Sequence, residues 1–384
     1  MSVYRGDYKT YTILMIHSKD FTTELIKNNL GPIIEVPCSY FKDFFNYLWE
    51  SKRIEIINPA NEALVMGVAS GYYLSTRKIP IVAIQNSGFM NTLNALTSLN
   101  QLYEIPVFYL ITWRGEGGKG YDAPEHDITG EKMEEFLKTF DIPYEIIDEK
   151  KYSAQIQNLT SQAEKTKKPV VLIIKKNTFE KHLNPSKNNA FEMSRYEAIK
   201  LIKDKLTDAI FLSTTGYPTR DSFAAKKTKD FYIVGSMGHA FSLALGISPN
   251  VNKKVVVLDG DGSSLMHLGG LASFDSQKHQ NIIYFVLDNG SYESTGGQPT
   301  VSTNVNFELL AESFGFKNIF KITQKTELEE ALDNIQRINE PAFIDIKIRN
   351  DEGVDRERVS DQYTCPQIKV RFMENFNHDK NSKS

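Results

Sequence analysis

The chain has 384 residues, and at roughly 100–200 residues per domain that length predicts two domains. Hydrophobic residues make up 41% and charged residues 24%, with a formal net charge of −3; this supports large buried cores and argues against a nucleic-acid partner, which calls for a basic excess. The two cysteines, Cys38 and Cys365, allow neither a disulfide framework nor a four-cysteine zinc site.

In chain order, the stretch from Met1 to Asp20 mixes charges around a short apolar run with no small-residue cleavage site. It reads as an ordinary N-terminus, and no apolar run approaches the ~20 residues that cross a bilayer, so a cytoplasmic protein off the membrane is expected. Strands are predicted at Ile33–Val36, Ile79–Ile84, Pro106–Thr112 and Pro169–Ile174, with helices at Tyr40–Ser51, Glu62–Ser75, Met90–Asn100 and Glu131–Phe140. Runs such as Ile79-Pro80-Ile81-Val82-Ala83-Ile84 are apolar without alternation, the pattern of a parallel strand covered on both faces. A polar stretch near residues 181–194 reads as a linker. A second series follows, with strands at Ala209–Ser213, Phe231–Val234, Val255–Leu258, Ile282–Leu287 and Ala342–Ile348. Its helices are predicted at Ser194–Leu206, His239–Ile247, Met266–Asp275, Phe307–Phe314 and Thr326–Arg337. The fold class is therefore α/β: two tandem doubly wound parallel-sheet domains, residues 15–180 and 195–350, and a charged, frayed tail over 351–384.

One segment carries chemistry. A buried strand runs into Gly260-Asp261-Gly262, after which a helix begins. The glycines let backbone amides approach a ligand, and a helix N-terminus favours an anion. A carboxylate beside an anion requires a cation between them, which is the logic of a diphosphate held through Mg²⁺. By itself the triplet is weak and is more often an ordinary turn. The next strand ends in Asp288-Asn289-Gly290-Ser291, so Asn289 can supply a second oxygen near Asp261 and a backbone carbonyl two residues on, at Ser291, a third. Rival phosphate motifs fail: Leu265 stands where the dinucleotide fingerprint needs a third glycine, and Gly115–Gly120 lacks the P-loop spacing.

These residues resemble the thiamine-diphosphate signature. The wider blocks Val234–Ala240, Leu258–Ser264 and Ser294-Thr295-Gly296-Gly297-Gln298 resemble the phosphonopyruvate decarboxylase family, with sulfopyruvate decarboxylase as near relative. The first half agrees in order through Val36-Pro37-Cys38-Ser39, Asn61-Glu62, Gln85-Asn86-Ser87-Gly88, Trp113-Arg114 and Asp122-Ala123-Pro124-Glu125-His126. The resemblance implies a pyrimidine-binding domain, a diphosphate-binding domain, no middle domain, and a homodimer at minimum whose sites form between subunits.

By the same resemblance, Glu62 is the catalytic acid that hydrogen-bonds the pyrimidine. Asp261, Asn289 and Ser291 hold Mg²⁺, and Asp288 need not. Thr215, Gly216, Ser236, Met237, Gly238, Gly260, Gly262, Ser263 and Asn289 hold the cofactor, Met237 as its apolar prop. The implied reaction converts 3-phosphonopyruvate to phosphonoacetaldehyde and CO₂ in phosphonate biosynthesis. Its small anionic 2-oxo acid substrate needs a cationic clamp, for which Arg114 is the first choice because guanidinium grips phosphonate oxygens bidentately. Ser39, Asn86, Ser87 and His126 complete the substrate set, with Lys119 a weaker candidate. Phe89 and Met90 are bulkier than the family's usual residues and are expected either to narrow the pocket or to alter its acceptor chemistry. Two alternatives stay open: another anionic 2-oxo acid such as sulfopyruvate, and a cofactor-binding homologue without catalysis.

Overall fold

A computed structural model describes residues 15–183, 189–350, 354 and 356–376. The first half is one six-stranded parallel sheet built from β1 (Ile33–Glu35), β2 (Ile56–Ile57), β3 (Ile81–Gln85), β4 (Phe108–Thr112), β5 (Tyr144–Ile146) and β6 (Val170–Ile174), in the order β2-β1-β3-β4-β6-β5. The four inner strands β1, β3, β4 and β6 are buried on both faces, as their unalternating runs dictate, while β2 and β5 at the edges are half-buried. One face packs Phe21, Phe41, Phe44, Phe45 and Phe108, and the other Val65, Met66, Phe89, Tyr109 and Leu137.

The second half contains β7 (Ile210–Ser213), β8 (Phe231–Tyr232), β9 (Val255–Gly260), β10 (Ile282–Asp288), a two-stranded ribbon of β11 (Ser291–Tyr292) and β12 (Gln298–Pro299), then β13 (Asn318–Ile322) and β14 (Ala342–Lys347). Its six-stranded parallel sheet runs β13-β14-β10-β9-β7-β8. Numbered within each half, both sheets follow one order, 2-1-3-4-6-5. Each therefore reverses winding direction between its first and third strands, where an open α/β sheet leaves a crevice beyond the strand ends.

The two crevices face each other within the chain. Asn61 Nδ2 donates to the Met266 carbonyl at 2.8 Å, and Asn58 Nδ2 to the Pro299 carbonyl at 2.7 Å. Met237 and Met266 of the second half pack into an apolar cluster of the first. These contacts join the two halves within one chain.

The structure departs from the predicted elements at several points. Helices at Ser18–Lys27, Tyr152–Thr166 and Tyr217–Ala225 and strands β5 and β13 were not foreseen. The helix expected from Met90 starts at Asn86, directly off β3, and the one expected over Met266–Asp275 starts at Asp261, directly off β9, ending at Met266 before a short 3₁₀ segment, Leu268–Ser273. The tail is not frayed throughout. Its residues 356–376 are described, with helices Val359–Gln362 and Cys365–Met373 that bury Val359, Ile368 and Phe372 against the second half. Residues 184–188 of the expected linker, 351–353, 355 and 377–384 of the tail, and the first 14 residues lie outside the described residues. Among the described residues no helix is long and apolar enough to cross a membrane.

Candidate active site

Loops at the carboxyl ends of both sheets line a single cavity of about 570 Å³. From the first half come Ser39, Glu62, Ser87, Gly88, Asn91, Arg114, Glu125 and His126; from the second come Thr215, Gly216, Ser236, Met237, Gly260, Asp261, Gly262, Ser263, Asn289 and Ser291.

Glu62 is the first residue of the helix Glu62–Thr76, capped by Asn61, whose side chain accepts from the Leu64 N–H at 3.0 Å. Glu62 is 8% exposed, and its carboxylate accepts from Asn91 Nδ2 at 3.0 Å. Gly88 makes this seat possible, since a Cβ there would lie 2.4 Å from Glu62 Oε1. The acid is thus gripped from one side by the helix that follows β3.

Across the cavity, Ser263 ties three loops together. Its Oγ lies 2.8 Å from Thr214 Oγ1 beyond β7 and accepts from the Gly238 N–H at 3.0 Å. Gly216, at φ +88°, turns the chain into the helix Tyr217–Ala225, while Thr215 Oγ1 donates to the Val234 carbonyl at 2.6 Å. Gly262 is packed against the Tyr292 ring, where a Cβ would fall 2.5 Å from Cε1. Asn289 closes a tight turn: its Oδ1 accepts from the Ser291 N–H at 3.0 Å and its Nδ2 donates to Glu293 Oε2 at 3.2 Å.

Asp261 is the electrostatic anomaly. Its carboxyl accepts from Thr300 Oγ1 but has no cationic partner among the described residues, and burial, reinforced by nearby Asp288, pushes its pKa up to about 7. Asp288 is engaged elsewhere: Lys347 Nζ pairs with its Oδ2 and Ser302 Oγ donates to its Oδ1 at 3.2 Å.

The cluster around Arg114 is nearly self-neutralised. Arg114 Nη2 donates to Asp122 Oδ1 at 2.8 Å, its Nε to Asp122 Oδ2, and its Nη1 to Ser39 Oγ at 3.1 Å. Burial alone would raise the Asp122 pKa, but the Arg114 hydrogen bonds, the Ala123 N–H and the Arg114 charge together hold the group well below the carboxylate range. Burial, with Arg114 adding repulsion, lowers His126 to about 4, so its ring is neutral at pH 7. Burial raises Glu125, whose Oε2 is buried without a hydrogen-bond partner, as is His126 Nδ1.

Residues 18–134 match the N-terminal TPP binding domain of thiamine pyrophosphate enzymes, and residues 219–346 match the C-terminal TPP binding domain. The phosphonopyruvate decarboxylase of Streptomyces viridochromogenes is 28% identical over 368 residues, covering 90% of this chain and 92% of that protein. A sulfopyruvate decarboxylase of Methanosarcina acetivorans is 28% identical over 339 residues, 82% of this chain and 86% of that protein. The sulfopyruvate decarboxylase subunit beta of Methanothermobacter thermautotrophicus is 36% identical over 158 residues, 41% of this chain and 83% of that subunit. The chain belongs to the thiamine pyrophosphate enzyme family. Within that family it is a thiamine-diphosphate-dependent decarboxylase of the phosphonopyruvate and sulfopyruvate decarboxylase type. Its carboxy-lyase class removes the non-catalytic alternative.

The residues present fit the family's cofactor. Glycines at 216, 260 and 262 keep the second-half wall low, and a buried carboxylate that lacks a cation beside the Asn289 turn is the donor set of a hard divalent ion. Among the described residues no group of three or more His, Cys, Asp or Glu is placed to hold a metal ion.

Two sequence candidates stand behind the wall. Asn86 is fully buried, its Nδ2 donating to the Arg114 carbonyl at 2.8 Å and its Oδ1 accepting from the Arg114 N–H at 3.3 Å, and Gly238 meets the site through Ser263. Phe89 does not narrow the pocket: it is fully buried, edge-on to Tyr109 with ring centroids 5.8 Å apart, and Met90 packs beside the same core. Lys119 is exposed and does not line the cavity. Sequence reasoning missed Asn91, Glu125, Arg195 and Arg358 as lining residues. Asn91 follows Gly88 by three residues on one helix face, a spacing that could have found it. Arg358 carried no signal, because only folding brings the tail to the cavity.

Proposed function

We propose that this protein decarboxylates 3-phosphonopyruvate to phosphonoacetaldehyde and CO₂, using thiamine diphosphate and Mg²⁺, and serves phosphonate biosynthesis. The observation that carries the reading is the convergence of Glu62 and Asp261, one from each half, on a single cavity. Residues 15–180 form the pyrimidine domain, 181–194 the linker and 195–350 the diphosphate domain.

Thiamine diphosphate, when bound, supplies a carbon nucleophile and an electron sink for loss of the carboxylate. Asp261, the Asn289 side chain and the Ser291 carbonyl hold Mg²⁺, while Thr215, Gly216, Ser236, Gly238, Gly260, Gly262 and Ser263 line or support the diphosphate seat. Met237 is the apolar prop. Glu62, shielded and held by Asn91, shares a proton with the cofactor's pyrimidine ring, a role that needs a carboxyl group kept from water. Ser39, Ser87, Arg114 and His126 face the substrate, and Asn86 fixes the Arg114 backbone.

A second reading, sulfopyruvate as substrate, gains from the charge count: Arg114 is already paired with Asp122 and His126 is neutral, which suits a head group with one charge better than one with two. The test offers purified protein, Mg²⁺ and thiamine diphosphate with phosphonopyruvate, sulfopyruvate and pyruvate, following CO₂ and aldehyde. Phosphonopyruvate is expected to give the highest kcat/KM; preference for sulfopyruvate replaces the first reading with the second. Sedimentation at twice the chain mass is expected for the homodimer that belongs to this reading.

A further inference from the structure

Arg114 is paired with Asp122 and His126 is neutral, and the C-terminal segment brings a further cation to the cavity. Arg356 pairs through Nε with Asp221 Oδ1 and lies 4.0 Å from the Tyr196 ring centroid, while Val359, Ile368 and Phe372 are 1%, 3% and 6% exposed. Arg358 sits between these anchors in extended backbone, φ −74° and ψ 141°, and lines the same cavity as Glu62. Its own side chain is exposed, and no carboxylate lies within ion-pair distance of it among the described residues. Its charge is nevertheless felt by both Glu125 and His126. Arg195, which also lines the cavity, is committed to Asp221 and Glu293, each at 2.7 Å.

We infer that Arg358, carried to the cavity by the docked C-terminal segment, is a specificity-determining residue that grips the anionic head group of the substrate. A guanidinium offers planar, paired donors to phosphonate or sulfonate oxygens. Its anchors hold the backbone in place, so only the side chain needs ordering on binding. His126 Nδ1, buried without a hydrogen-bond partner and within reach of the Arg358 charge, belongs to the same cluster.

The inference rests on the decarboxylase reading for its substrate class, but its test does not depend on turnover. Phosphonoacetate and sulfoacetate, unreactive bearers of the same head groups, are titrated calorimetrically into protein loaded with Mg²⁺ and thiamine diphosphate. Arg358→Ala is expected to weaken phosphonoacetate binding by about 10–100-fold, the scale of a charge-assisted contact, with acetate as control. Arg358→Lys should recover part of the loss. Cofactor affinity and Tm should not move, which separates a head-group contact from a structural role. Unchanged phosphonoacetate affinity in Arg358→Ala, or no binding by the wild type, overturns the inference. If the wild type binds phosphonoacetate through Arg358 yet releases no CO₂ from either anionic 2-oxo acid, the assigned substrates fail and the anion site stands.

Discussion

The two halves of the chain share one strand order yet place opposite chemistry at matching points. In each, the residue directly after the third strand opens a helix at the crevice: Asn86 after β3 and Asp261 after β9. Both are buried. The Asn86 amide has a donor and an acceptor, and it spends both on the backbone of Arg114, sewing the neighbouring loop shut. The Asp261 carboxylate can only accept. It takes a hydrogen bond from Thr300 and leaves the Asn289 loop unsewn, with a buried charge that calls for a cation. One amide makes a structural crevice, and one carboxylate makes a ligand-dependent one.

The largest test of this contrast is Asp261→Ala, which should lower Mg²⁺-dependent thiamine diphosphate affinity by more than about 100-fold, beyond the range for outer-shell partners. Unchanged affinity by calorimetry would remove Asp261 as the metal ligand. Glu62→Gln should cut turnover by at least ~10²-fold, since the amide cannot share the proton, while cofactor binding largely survives. Steady-state kinetics beside a binding titration separate the two effects.

Asn86→Asp converts the sewn crevice into a copy of the other. It removes a donor from the Arg114 carbonyl and buries a charge, so denaturant unfolding should show a loss of about 2–4 kcal/mol. No loss would mean that the amide is dispensable. The smallest effect is a pH slope. An unfolded Asp releases its proton near 3.8, but Asp261 holds it to about 7 when folded. Between those values the native state binds the extra proton, so the cofactor-free protein loses stability as pH rises. Glu35, which burial raises to about 8, adds a slope of the same sign at its own, higher window. Asp261→Asn should therefore flatten part of the fall in Tm between about pH 4 and 7 and leave the rest. An unaltered slope would show that Asp261 is not the buried acid responsible.

Strands were legible because parallel strands covered on both faces read as unbroken apolar runs, Val255–Leu258 and Ile282–Leu287 above all. The missed helices are mostly polar. In Tyr152–Thr166 only Ile156, Leu159, Thr160 and Ala163 are buried, a narrow stripe in a hydrophilic stretch. The Gly260-Asp261-Gly262 triplet alone fits an ordinary turn, and it gained meaning only beside Asp288-Asn289-Gly290-Ser291 after the next strand and the wider family resemblance.

By itself, the sequence determined two parallel α/β halves and the family, because these are written in local runs and short motifs. Tertiary structure alone decided that Arg114 is neutralised by Asp122, that Phe89 belongs to the core, and that the charged tail docks with Arg358 at the cavity. Those outcomes turn on which partner lies within a few ångströms, and charge and burial take their energies from that distance and not from position along the chain.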